Sequence, residues 1–166
     1  MNLICKSLIA AGLVALSPAA SWSRPADEAK EVRGIIDKVN TTWQKSNDPA
    51  QWPFWHVAAY HTGNMEAYRL TGNQDYLDYS LAWADHNGWQ GAKCKDRGKW
   101  KYNYGETDEH VLFGDWQICF QTYADLYNIL PDDRRIRRAR EVMEYQMSTP
   151  QNDYWWWADG LYMVMP

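Results

Sequence analysis

Two carboxylates in this sequence stand where a carboxylate is costly. Asp159 lies in Trp155-Trp-Trp-Ala-Asp159-Gly-Leu-Tyr-Met163, whose other positions offer no countercharge. A carboxylate stripped of water by such neighbours has its pKa raised and can exchange a proton near neutrality, as a general acid/base must. The same Asp-Gly step also reads as the N-cap of a following helix, and spacing does not choose between the two. Asp115 shares one helical face with Ile118, Cys119, Thr122 and Leu126. An acid there must find partners or lose its charge; alternatively it sits half exposed in a first turn, favoured by the helix dipole. Two such acids converging on one pocket would suit acid/base chemistry on a sugar.

Other reactive types carry less. His56 and His61 are five apart, which is wrong for two ligands on one helical turn, so His56 reads as packing. His61 precedes Thr62-Gly63-Asn64, and a glycine inside a helix invites close approach by a ligand or a neighbouring helix. Arg134, Arg135, Arg137, Arg138 and Arg140 invite a polyanion reading. Glu141 and Glu144 follow Arg137 and Arg140 at i+4, which predicts a solvated, self-paired face. Lys93, Lys95, Arg97, Lys99 and Lys101 interleave with Trp100, Tyr102 and Tyr104, a mixture that suits an acidic sugar at a rim or a solvated loop. Cys94 and Cys119 allow one disulfide, although Cys119 falls in an apolar pattern that predicts a core residue. No zinc spacing is present, and no metal or cofactor is expected.

The elements that must position these groups are helical. Apolar stripes of period 3.6 predict helices over Asp27–Lys45, Trp52–Thr71, Gln74–Asn87, Glu109–Leu130 and Arg134–Met147, with a last one starting near Asp159. Between Gly91 and Glu109 the pattern fails and a long loop is expected, where only Lys99 to Tyr104 alternates as a strand would. The segments 66–77 and 122–133 resemble one another, each a helix, a short turn and a second helix opened by an acid. Repeated helical hairpins point to a solenoid or closed α/α toroid, and the fold class is all-α. Eleven Trp and eleven Tyr against three Phe in 166 residues favour a cleft that stacks something flat while meeting water. A formal charge of −4 argues against a nucleic-acid partner, whose affinity comes from a basic footprint. No apolar run reaches the ~20 residues needed to insert through a membrane.

Residues 1–23 read as an export signal: Lys6, the apolar run Leu8–Leu16, then small residues allowing cleavage after Ser21 or Ser23. Residues 24–166 are then the exported part, periplasmic or secreted. The apolar stretch 154–166 is unlike a frayed domain end, and predicts that this is the N-terminal part of a longer domain.

At these residues the sequence resembles the unsaturated rhamnogalacturonyl hydrolases, glycoside hydrolase family 105, to which the unsaturated glucuronyl hydrolases of family 88 are related. The likeness rests on the Trp155–Met163 motif with Pro166. It extends to His61-Thr-Gly-Asn-Met-Glu-Ala-Tyr68, Tyr79–Trp89 and Gly114–Tyr127, and so runs from Trp52 to Pro166. The resemblance implies an (α/α)6 barrel, monomeric when complete, acting on an acidic oligosaccharide. The terminal uronic acid of that substrate carries a C4=C5 bond left by a lyase. The enzyme hydrates this vinyl ether: C4 is protonated, water adds at C5, and the hemiketal opens to release the neighbouring sugar. Carried over, Asp159 is the proton donor and then the base for water. Asp115 is the second acid, Trp157 stacks on the unsaturated ring, and Tyr60 with His61 lines the pocket. Gly160, and Phe113-Gly114 with Trp116, depart from the family's pattern. Two rivals stand beside this reading. One is a non-catalytic toroid that binds glycans; the other is a different α/α-barrel uronate enzyme, such as a lyase, an epimerase or an unsaturated glucuronyl hydrolase.

Overall fold

The computed structural model describes residues 25–166, so the export signal expected over 1–23 lies outside the described residues. Seven helices follow one another there: α1 (Pro25–Ser46), α2 (Trp55–Thr71), α3 (Gln74–His86), α4 (Gly114–Gln117), α5 (Cys119–Ile129), α6 (Asp133–Ser148) and α7 (Gly160–Val164). A 3-10 turn spans Arg97–Lys99, and no strand occurs among the described residues. None of these helices is long and apolar enough to cross a membrane.

Local chemistry sets the helix ends. Gly72 closes α2 in the left-handed region (φ 70°), its N–H donating to the Tyr68 carbonyl. Asn73 then caps α3 by accepting from the Asp75 N–H, and Asp132 caps α6 by accepting from Arg134 N–H. These turns make two helical hairpins, α2–α3 and α5–α6. They lie side by side because α2 packs on both α3 and α5. Trp83, Met65, Tyr123, Leu126 and Val142 fill the interface with essentially no exposure, each large apolar side chain contributing roughly 1.5–3 kcal/mol. The α1 stripe is less fully used: Val32, Ile35 and Val39 remain exposed, while Trp43 stacks on Tyr60 at 4.4 Å.

One expectation needs correction. The helix predicted from Glu109 begins at Gly114, because residues 107–113 are taken up by tight turns, His110 N–H to Thr107 O and Phe113 N–H to His110 O. Residues 99–104 lie in the expected loop, and their alternation forms no strand. Trp100 turns into the core, where its Nε1 donates to the Cys94 carbonyl and its ring meets Tyr145 edge-on. The loop is nevertheless stitched: Cys94 N–H reaches Asp108 O, Lys101 N–H reaches Glu109 O, and Leu112 N–H reaches Lys101 O.

Gly91 lets this loop lie on α4, since a Cβ there would sit 2.0 Å from the Trp116 carbonyl oxygen. Gly91→Ala is therefore expected to lower the unfolding free energy by about 1–3 kcal/mol, measured as a lower urea midpoint at unchanged m-value.

Candidate active site

Asp115 and Asp159 each stand at the start of a short helix, and those helices, α4 and α7, pack on one another. Gly114 lies against Met163 and Val164 at this contact, with room for a Cβ at ordinary van der Waals distance. The segment before α7 is anchored from below. Trp155 Nε1 donates to Gln117 Oε1 (3.1 Å). Gln117 Nε2 donates to the Val111 carbonyl (3.1 Å) and to Gln146 Oε1 (3.2 Å), and both glutamines are buried. At the far end, Gln121 Nε2 donates to the Met163 carbonyl (2.9 Å) and the Tyr162 hydroxyl pairs with Thr62 Oγ1 (2.8 Å). Gly160 is pressed on Trp155, where a Cβ would come within 2.9 Å of the Trp155 Cβ. The departure from alanine at this position thus has a packing reason.

Of the alternatives left open for the two acids, the structure gives each a different one. Asp159 occupies the N-cap position of α7, yet its side chain caps nothing and is exposed. The desolvation foreseen for it is not found among the described residues, because Trp155 points to Gln117 and Trp157 to Phe113 rather than over the carboxylate. Asp115 is the desolvated one. It is 9% exposed, with no hydrogen bond to its carboxylate among the described residues, and its pKa is pushed up to about 6. Burial is the largest cause, followed by the negative charges of Asp159 and Glu106. The mutual repulsion places both acids within one electrostatic neighbourhood.

Glu106 is a further member that sequence reasoning did not single out, and it is reached by Tyr104 of the basic, aromatic loop. The Tyr104 hydroxyl donates to Glu106 Oε1 (2.9 Å), which pushes the phenol pKa up. Tyr104 meets Phe113 edge-on (5.8 Å), Phe113 meets Trp157 (5.6 Å), and Trp157 stacks on Trp156 at 3.8 Å. An aromatic row thus runs beside three carboxylates. The Trp157 indole Nε1 has no acceptor there. Glu106 also helps to line a cavity of about 560 Å³ with Trp52, Asp108 and Trp116, a volume suited to a small ligand.

Tyr60 and His61 have their partners elsewhere, in α1 and α3. The Tyr60 hydroxyl donates to Asn40 Oδ1 and accepts from Gln44 Nε2. His61 is 1% exposed, bonded to Ser80 Oγ (3.0 Å) and stacked on Trp83 at 4.0 Å; burial lowers its pKa to about 3. No described contact joins either residue to Asp115, Asp159 or Trp157. In the basic loop, Lys101 pairs with Glu109, Arg97 with Glu141 and Lys99 with Asp96. Cys94 and Cys119 are both free thiols, Cys119 in the core. No group of three or more potential metal ligands occurs among the described residues.

The sequence model described as Glycosyl Hydrolase Family 88 matches residues 29–166. A solved structure of a glycosyl hydrolase family 88 protein from Bacteroides vulgatus superposes with a TM-score of 0.82 at 58% identity, over 83% of this chain and 40% of its own. Another, described as a polysaccharide lyase, also gives 0.82, at 65% identity over 84% of this chain and 39% of its own. The chain thus spans about 40% of the length of either structure. No curated protein matches it. The family matched is 88, the relative of family 105. At this similarity the all-α hairpins are those of an α/α toroid.

Asp115 holds its proton more tightly folded than unfolded, so the stability that proton contributes is complete below pH 3.8 and lost as pH rises through about 6. Asp115→Asn should remove this loss, on the order of 1 kcal/mol after solvent screening, in thermal melts from pH 4 to 7. Asp159→Asn should lower the Asp115 pKa but leave it above 3.8, because burial is the larger cause; carboxyl NMR titration measures it.

Proposed function

The chain belongs to glycosyl hydrolase family 88, and from that premise we propose that it carries the paired acids of a hydrolase for unsaturated uronyl oligosaccharides. Rhamnogalacturonan-derived fragments are the first substrate, and unsaturated glucuronyl saccharides the alternative within the same chemistry. The observation that carries the reading is the acid pair itself: buried Asp115, its pKa pushed up to about 6 by burial and then by neighbouring charge, in the same electrostatic neighbourhood as exposed Asp159. An acid so raised holds its proton closer to neutrality than a free carboxylate does, and vinyl-ether hydration starts with one proton to give.

In this reading Asp159 delivers a proton to C4 and then takes one from the water that adds at C5. The hemiketal so formed opens and releases the neighbouring sugar, with no attack at the anomeric carbon. Asp115 holds the sugar hydroxyls or helps the proton transfer. The Trp157 face, braced by Trp156 and Phe113, stacks on the planar unsaturated ring. Tyr60 and His61 contribute through α2, whose Thr62 holds the Tyr162 hydroxyl, rather than by touching the acids. Export by residues 1–23 and a monomeric complete domain belong to the same proposal.

A second reading is favoured by one comparison, the relative described as a polysaccharide lyase. A lyase creates the C=C bond that a hydrolase of this kind consumes. Ultraviolet absorbance of the conjugated bond separates the two. With full-length protein and an unsaturated rhamnogalacturonan disaccharide, absorbance should fall, and Asp159→Asn should slow the fall at least a hundredfold while the saccharide still binds. Rising absorbance on an intact uronate polymer would instead support the lyase. Binding with no change in absorbance on either substrate would support a non-catalytic glycan-binding domain.

A further inference from the structure

The arginine-rich start of α6 does not neutralise itself as its spacing predicts. Glu141 turns away from Arg137 and pairs with Arg138 and, across the loop, with Arg97. Arg137 and Arg140 form no ion pair or hydrogen bond among the described residues, and Lys95 on the facing loop forms none either.

Lys95, Arg137 and Arg138 border a groove of about 560 Å³ between the end of α3 and the start of α6. Five cationic side chains and three carboxylates line it, in a chain whose formal charge is −4. The carboxylates are already engaged: Asp132 by Arg134, Glu141 by Arg138 and Arg97, and Asp85 by the Trp89 indole N–H. Lys95 and Arg137 are left with uncompensated charge.

The groove is also built. Gly88 and Trp89 both adopt left-handed backbone (φ 61° and 59°), which for a tryptophan is uncommon. The turn lays the indole under Arg135, whose guanidinium lies 4.8 Å from its ring. Arg138 is 7% exposed and donates to the Ala92 and Cys94 carbonyls (3.0 and 2.7 Å), yet its Nε–H is buried with no acceptor. A buried donor without a partner calls for an acceptor.

We propose that this groove is a second saccharide site, which binds an acidic oligosaccharide through its carboxylates. It shares no lining residue with the paired acids. Arg137 and Lys95 supply the free charges, and the Trp89–Arg135 stack holds the floor rigid. The proposal rests on the hydrolase reading only for the kind of sugar that carries the carboxylates. A long acidic substrate would then be held at two places.

The test uses full-length protein and saturated tetragalacturonate, which lacks the C=C bond and is not turned over. Lys95→Ala/Arg137→Ala removes two unpartnered side chains, so the fold should be intact by circular dichroism. Titration calorimetry should show about tenfold weaker binding in the double variant, and wild-type affinity should fall with added salt. Turnover of the unsaturated disaccharide should equal wild type. Three results would overturn the proposal: unchanged affinity in the double variant, equal affinity for the methyl-esterified and therefore neutral tetramer, or equal affinity for inorganic phosphate alone. If neither protein turns over the disaccharide, the hydrolase reading fails, and the comparison of affinities still decides the groove.

Discussion

A buried amide has to be fully bonded or it destabilises what surrounds it, and the arrangement of this chain follows from one such requirement. Gln117 and Gln146 lie 1% and 4% exposed between α4 and α6. Between them they bind the Val111 carbonyl and the Trp155 indole, and each other. An unmade bond at such a site costs about 1–3 kcal/mol, so the three segments are held in one register. That register places Asp115, two residues before Gln117, and Asp159, four residues after Trp155, on the same side of the molecule. Positions of the acids are therefore set by neutral groups, which leaves the carboxylates free of structural bonds.

That freedom is what gives the pair its electrostatic character. An aspartate used as a cap or an ion-pair partner is held in its charged form, as Asp132 is: its bonds to Arg134 lower its pKa to about 2. Asp115 has the opposite environment, with burial and like charges pushing it up to about 6. Three carboxylates gathered with no bonded cation form a local negative field, and the aromatic row supplies contact area that adds no charge. Flat, weakly polar rings beside a reluctant acid suit a sugar ring that must be protonated.

Charge elsewhere is distributed the other way. The acids of this net-negative chain are spread along it, whereas five cationic side chains gather in the groove at the start of α6. Most loop cations are spent on neighbours, Lys101 on Glu109 and Arg97 on Glu141. Arg138 acts as a structural strap, tying α6 to the loop through two carbonyls.

The sequence by itself determined most of the helices, the cap at Asp132, the stop at Gly72 and the all-α hairpins, because period 3.6 and capping chemistry are local properties. It also marked Asp115, Asp159 and Trp157 as the residues with something to explain. Tertiary structure decided which acid is desolvated. Nearest neighbours in sequence suggested Asp159, but the tryptophans beside it point to Gln117 and Phe113, while Asp115 is buried by residues distant in the chain. Structure also decided that His61 is a core histidine stacked on Trp83, and that Glu141 abandons its i+4 partner for Arg138 and Arg97. It brought in Glu106, beside the Tyr104 that the loop's composition had already marked, from a segment with no periodicity to read. Burial and pairing depend on which segments meet, and sequence spacing reports only those that are already neighbours.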